Sequence, residues 1–269
     1  TFAEAKGEVT RARDIFRYYG GEGWRVGGQT IPSNTGGELL YTRREPLGVI
    51  ALVTPWNFPI AIPAWKMAPA LIYGNTVVFK PASFTPEIAY RLVEVLVEAG
   101  LPKGVVNLIT GSGRLVGDVL VGDKGINGVS FTGSYYVGMK IYEKTMPNLT
   151  RVQLEMGGKN PMIVLNDADV DKAVGLASMS GFGVTGQACT AASRVIVEEG
   201  IADNFVAALT AKARSMVVGN GLEEGVHMGP AVSDDQLKTD LDYIKVGQGE
   251  GAKLLTGGDR AKDGGYYVQ

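Results

Sequence analysis

Cysteine and histidine are almost absent: the 269 residues contain one of each, Cys189 and His227. A single cysteine rules out an internal disulfide, and one histidine with one cysteine cannot supply the usual three or four metal ligands, so no metal site is expected. Any Cys/His or Ser/His/Asp arrangement has only His227 to use, and its run Val226-His227-Met228-Gly229-Pro230 reads as a structural loop. No apolar run reaches the roughly 18 to 20 residues that cross a bilayer. Nor is there a basic stripe, because 26 Lys and Arg are spread along the chain against 28 Asp and Glu, for a net charge of −2. Neither membrane nor nucleic acid is expected as a partner, and a reducing, cytoplasmic compartment is the default.

What remains is a chain that is 45% hydrophobic and 20% charged, enough to bury one large core or two ordinary ones. Residues 1–19 read as a helix, with Val9, Ile15, Phe16 and Tyr19 at helical spacing. Residues 20–48 are rich in Gly and turn formers, and Glu38 to Arg43 reads as an exposed strand. A regular alternation follows. Gly48 to Val53, Asn75 to Lys80, Val105 to Ile109 and Gly128 to Thr132 read as strands, separated by helices through Trp65 to Ala70, from Pro86 to Ala99, and through Val116 and Val121. Continuously apolar strands alternating with helices predict an α/β fold with a parallel sheet covered on both faces. A second α/β unit opens near Pro161 to Val164, with helices at about 169–184 and 201–217, and Gly264 to Val268 looks like entry into a further strand.

Chemistry-bearing residues cluster where strands end. Cys189 lies in Gly186-Gln187-Ala188-Cys189-Thr190, where small neighbours let backbone N–H groups converge beside the sulfur, and Glu155 stands 34 positions upstream. The pair suggests a nucleophile and a base; the competing reading is a thiol buried as a small hydrophobe. Thr54-Pro55-Trp56-Asn57-Phe58-Pro59 follows a strand, and its prolines stiffen the residues between them, so the Asn57 amide can donate to an oxyanion or stand as an ordinary turn asparagine. Lys80-Pro81-Ala82-Ser83 closes another strand, placing Lys80 to meet ribose hydroxyls or a phosphate, or to stand as a solvated lysine. Phe131-Thr132-Gly133-Ser134 ends a strand and opens a helix, so Gly133 and Ser134 can seat a pyrophosphate, although the run is not Gly-x-Gly-x-x-Gly and also fits an ordinary turn.

In order and spacing, Pro55-Trp56-Asn57-Phe58-Pro59, Phe79-Lys80-Pro81, Phe131-Thr132-Gly133-Ser134, Leu154-Glu155-Met156-Gly157-Gly158-Lys159-Asn160-Pro161 and Gly186-Gln187-Ala188-Cys189 resemble the aldehyde dehydrogenase superfamily. Ala64-Trp65-Lys66-Met67-Ala68-Pro69-Ala70-Leu71 is most similar to the branch of 2-oxoglutarate semialdehyde (2,5-dioxopentanoate) and succinate semialdehyde dehydrogenases. The resemblance implies a Rossmann-like NAD(P)-binding domain over 47–155 joined by 1–27, an oligomerisation strand segment at 28–46, and an α/β catalytic domain over 156–269. It implies Cys189 as nucleophile, Asn57 with the Cys189 N–H as oxyanion hole, Glu155 as general base and Lys66 near the cofactor and proton path. Thr54, Pro55, Trp56, Lys80, Ser83, Gly133, Ser134 and Gly157 fall at cofactor positions. The implied reaction is NAD- or NADP-dependent oxidation of a small-molecule aldehyde, such as a semialdehyde, to the acid through a thiohemiacetal and a thioester.

Two departures matter. The position three after Lys80, often a glutamate in NAD-preferring members, is Ser83, which would not repel a 2′-phosphate, so NADP should be accepted, with preference for it left open. Family members also carry roughly another hundred residues at each end, judged from where the motifs fall. The chain therefore reads as truncated at both ends, prone to associate and of little activity alone, while the full-length parent is expected to be a homodimer or homotetramer. Alternatives are a succinate semialdehyde or broad-specificity enzyme, an acylating dehydrogenase using coenzyme A, which Glu155 argues against, a phosphorylating dehydrogenase, for which His227 is a poor candidate, and a catalytically inactive scaffold.

Overall fold

Buried parallel strands need helices over both faces, and the computed structural model, which describes residues 1–261 and 264–269, is built around such a sheet. The chain forms two compact units, Lys6–Met156 and Gly157–Gln269 with Thr1–Ala5. The first opens with α1 (Phe2–Glu22), whose first residues belong to the other unit, and an exposed antiparallel ribbon of β1 (Thr30–Ile31) and β2 (Leu40–Tyr41). Then come β3 (Val49–Val53), α2 (Ala61–Ile72), β4 (Thr76–Lys80), α3 (Pro86–Glu98), β5 (Val106–Leu108), α4 (Asp118–Gly122), β6 (Gly128–Gly133), α5 (Tyr135–Thr145) and β7 (Arg151–Met156).

Strands β3 to β7 make one parallel sheet in the order β5-β4-β3-β6-β7. The chain walks from β3 outward to β5, then returns to lay β6 on the other side of β3, so the sheet has a topological switch point between β3 and β6. Alternation along the strands splits the core in two. Ile50, Leu52, Val77 and Phe79 pack with Met67 of α2 and Ala89 of α3, while Ala51, Val129 and Phe131 pack with Leu120 and Val121 of α4 and Ile141 of α5. A smaller cluster of Ala12, Ile15, Ala64 and Ala68 binds α1 to α2.

In the second unit β8 (Asn160–Val164) and β9 (Ala192–Val197) form a parallel pair, accompanied by α6 (Val170–Phe182), α7 (Glu199–Arg214) and α8 (Asp234–Gly249). Val164, Ala173, Val174, Ala177 and Phe205 are its core.

Four sequence expectations shift. The strand over Glu38 to Arg43 pairs only at Leu40–Tyr41, because Gly36-Gly37 is spent on the turn, Gly37 at φ +88°, and Glu38 is drawn to the Ser33 hydroxyl at 2.9 Å. The helix through Val116 begins as a π turn, Gly113–Gly117, whose glycines hold a helix weakly and whose Ser112 hydroxyl accepts from Leu115 N at 3.2 Å. Gly264 to Val268 is no strand, since Gly264 and Gly265 take φ of +84° and +73°; only an isolated bridge joins Arg260 to Val268. Finally, β7, β9 and α8 had no counterpart among the expected elements. Leu52→Ala, at a fully buried site, is expected to cost about 2–5 kcal/mol, against under about 1 kcal/mol for Ile31→Ala in the exposed ribbon; denaturant unfolding of both variants decides it.

Candidate active site

Every carboxyl end of β3, β4, β6 and β7 carries a residue singled out in the sequence, and ligands of open α/β sheets bind outside those ends at the switch point. After β3, Thr54 is 4% exposed, its N–H donates to Lys80 O at 3.2 Å, and its hydroxyl has no hydrogen-bond partner among the described residues. Pro55, Trp56 and Asn57 continue as a half-buried turn toward α2. After β4, the buried Lys80 donates from Nζ to Pro81 O at 2.9 Å, and burial holds its pKa below the ordinary lysine value. Ser83 is exposed and donates to Gly111 O at 3.2 Å.

At the end of β6, Gly133 has no room for a side chain: a Cβ there would lie 2.5 Å from the Phe131 ring. Ser134 caps α5, its Oγ accepting from Val137 N at 3.4 Å, so a helix N-terminus opens beside the switch point. A pocket of about 680 Å³ reaches from Lys80 to α5. Arg114, Lys140 and Lys144 join Lys80 in its lining against Asp118 and Glu143, leaving cationic excess. An orphaned hydroxyl, a buried ammonium, a helix N-terminus and surplus positive charge suit a ligand made of phosphates and sugar hydroxyls.

Glu155 stands in β7 opposite Thr132 of β6. On the sheet face covered by α2, Lys66 is 9% exposed and donates from Nζ to Ser130 Oγ at 2.8 Å; the Ser130 hydroxyl in turn donates to Gln153 Oε1. Burial takes the Lys66 pKa down to about 8, against the pull of the Glu155 carboxylate. The structure thus gathers Lys66, Glu155 and two residues the sequence reading passed over, Ser130 and Gln153. Their signal was polar residues alternating with apolar ones, Ser130-Thr132 and Gln153-Glu155, inside strands.

In the second unit Gly157 is exposed and follows β7 directly. Cys189 is half-buried, three residues before β9, with its loop tied from several sides. Asn160 Nδ2 donates to Cys189 O at 2.7 Å and Ala191 O at 3.1 Å, and Gln187 Oε1 accepts from Val232 N at 2.9 Å. Upstream, Val184 and Thr185 adopt φ of +51° and +58°, rare for β-branched residues. Glu4 accepts from Val184 N at 2.7 Å and Thr185 Oγ1 donates to Gly229 O at 3.2 Å, which holds that geometry. His227 accepts from Val217 N through Nδ1 at 3.1 Å. Among the described residues there is no cluster of three His, Cys, Asp or Glu able to hold a metal, and no helix is long and apolar enough to cross a membrane.

The Lys66 environment has a measurable consequence. With its pKa lowered from 10.5 to about 8, the unfolded chain binds a proton between those values that the folded chain has released, so stability should rise with pH across that window. Relative to Lys66→Met, the wild-type protein should gain on the order of 3 kcal/mol from pH 8 to 10.5. Unfolding curves of the two proteins that stay parallel over this range would contradict the assignment.

The aldehyde dehydrogenase family matches residues 1–269. The alpha-ketoglutaric semialdehyde dehydrogenase of Bacillus subtilis (strain 168) is 49% identical over 273 residues, covering 100% of this chain and 56% of the relative. Among solved structures, an NADP dependent enzyme of E. coli gives a TM-score of 0.97 at 39% identity, over 99% of this chain and 56% of that one. The NAD+ complex of an aldehyde dehydrogenase from Bacillus cereus gives 0.95 at 40% identity, over 97% and 53%. The chain spans about half the length of these relatives. With its whole length matched, and with the ordered motifs at the strand ends, the chain belongs to the aldehyde dehydrogenase family.

Proposed function

We propose that the protein oxidises an aldehyde, and specifically a semialdehyde such as 2-oxoglutarate semialdehyde, to the carboxylic acid with NAD or NADP. The observation that carries the reading is 49% identity over the whole chain to a semialdehyde dehydrogenase, together with a cationic pocket at the switch point of the sheet. Lys80, Thr54, Gly133 and Ser134 would hold the dinucleotide, with Pro55, Trp56, Ser83 and Gly157 around it. When bound, the nicotinamide supplies the hydride acceptor.

Everything else falls to side chains. Cys189 has to lose its proton to act as the nucleophile, which calls for either a site that favours the thiolate or a base that takes the proton. As thiolate it attacks the aldehyde carbon, forming a C–S bond and an oxyanion that the Asn57 amide and the Cys189 backbone N–H stabilise. Loss of hydride leaves a thioester on Cys189. Glu155 then takes a proton from water, the hydroxide attacks the thioester carbonyl, and the C–S bond breaks to return the thiolate and release the acid. Lys66, with a pKa of about 8 and within electrostatic reach of Glu155, can take that proton in its neutral amine form and release it outward as the ammonium deprotonates again. The exposed ribbon, with Tyr41 65% exposed and Leu39 74% exposed just before β2, would be an association surface of a homodimer or homotetramer.

The test is reduction of NAD and NADP by the full-length protein with 2-oxoglutarate semialdehyde, succinate semialdehyde and a simple aliphatic aldehyde. Cys189→Ala should fall to background, and Asn57→Ala should lose about 10²–10³-fold in kcat. Glu155→Gln should give one rapid turnover per site and then stall with the thioester in place. Turnover by Cys189→Ala would remove the thioester route altogether. For the cofactor, Ser83→Glu should weaken use of NADP by roughly tenfold or more through like-charge repulsion while sparing NAD; equal loss with both cofactors would mean that Ser83 does not face the 2′ position.

A further inference from the structure

The Asn57 turn has to be held at both ends if its amide is to wait in place for a forming oxyanion. At the strand end it is tied through Thr54 N–H to Lys80 O. At the helix end the ordinary devices are missing. Ile60, the N-cap of α2, has no polar side chain and makes no side-chain cap, Pro63 has no N–H, and Ile62 N already donates to Phe58 O at 3.2 Å. The donors left over are Ile60 N and Ala61 N. Both point at one acceptor, Glu8 Oε1 in α1, at 2.7 and 2.9 Å. Glu8 shares a face of α1 with Ala12 and Ile15, which pack on Ala64 and Ala68 of α2, so the carboxylate is delivered by the same contact that joins the helices. Burial raises its pKa, whereas the two N–H groups and the positive end of α2 favour the charged form.

We infer that Glu8 is a positioning residue for the oxyanion donor Asn57: it caps α2 from a distant helix and thereby fixes the turn that carries the amide. The inference rests on the proposed role of Asn57. In the full-length protein, Glu8→Ala should lower kcat for aldehyde oxidation about 10- to 100-fold with little change in KM. Glu8→Gln, whose amide oxygen can accept from the same two N–H groups, should recover most of that loss. Glu8→Asp keeps the charge and retracts the oxygens by one methylene; it serves where the alanine variant does not fold, and should fall between. In an Asn57→Ala background, removing Glu8 should cost nothing further, because the two act through one donor. A kcat unchanged in both Glu8→Ala and Glu8→Asp, a glutamine variant as poor as alanine, or losses that multiply in the double mutant would each overturn the assignment. Full activity in Asn57→Ala is a separate result, and it would remove the oxyanion reading itself.

Discussion

A parallel strand buried on both faces has no water to satisfy its backbone, so the neighbours of β3 on either side carry the whole structure of the first unit. Ala51 and Leu52 are fully buried, and β3 is hydrogen-bonded along its length to β4 and β6. Parallel pairing forbids short hairpins; each crossover needs a helix, and each helix needs an apolar face to cover. The direction of the site follows from this. All five strands end on the same edge, and residues that have to leave the apolar sheet, Thr54, Lys80, Ser134 and Glu155, come out together there.

Placing polar groups at that edge carries a cost which the structure meets locally. Lys66 is buried, and its charge is opposed by desolvation, yet it is anchored on Ser130 and through it on Gln153. An apolar pair at 130 and 153 would leave the ammonium without partners, a heavier penalty than either hydroxyl or amide imposes when hydrogen-bonded. The same network keeps the ammonium within electrostatic reach of Glu155. Stability and proposed chemistry thus draw on one set of contacts. The shift in Lys66 is the trace of that compromise.

Much of this was legible in the chain itself. β3, β4 and β6 announce themselves as short apolar runs, and Thr54, Lys80 and Gly133 are recognisable because they terminate such runs. β7 was hidden, since Arg151-Val152-Gln153-Leu154-Glu155-Met156 alternates as a half-buried strand at the end of the sheet would, and α8 was hidden because Leu237 alone is buried on it among the described residues. Motifs pointed to Cys189, Asn57 and Glu155. They could not point to Ser130, Gln153 or Glu8, whose meaning lies in partners 23 to 64 residues away. A lone glutamate in an exposed helical turn carries no local mark that it caps another helix.

The Cys189 loop shows the same dependence on distant partners in sharper form. Val184 and Thr185 both sit in the left-handed region, which costs of order 1–3 kcal/mol for each such residue and is worse for β-branched side chains. An isolated peptide of this sequence would relax out of that conformation. It persists because Glu4 holds Val184 N–H, Gly229 holds the Thr185 hydroxyl, Val232 N–H fixes Gln187, and Asn160 grips the carbonyls of Cys189 and Ala191. These anchors come from a helix, a strand and a loop far apart in sequence, so the loop geometry is imposed by the folded unit around it. Were Cys189 to act as the nucleophile proposed above, this anchored loop would set its backbone N–H before an aldehyde arrives, because the strain has already been met by folding.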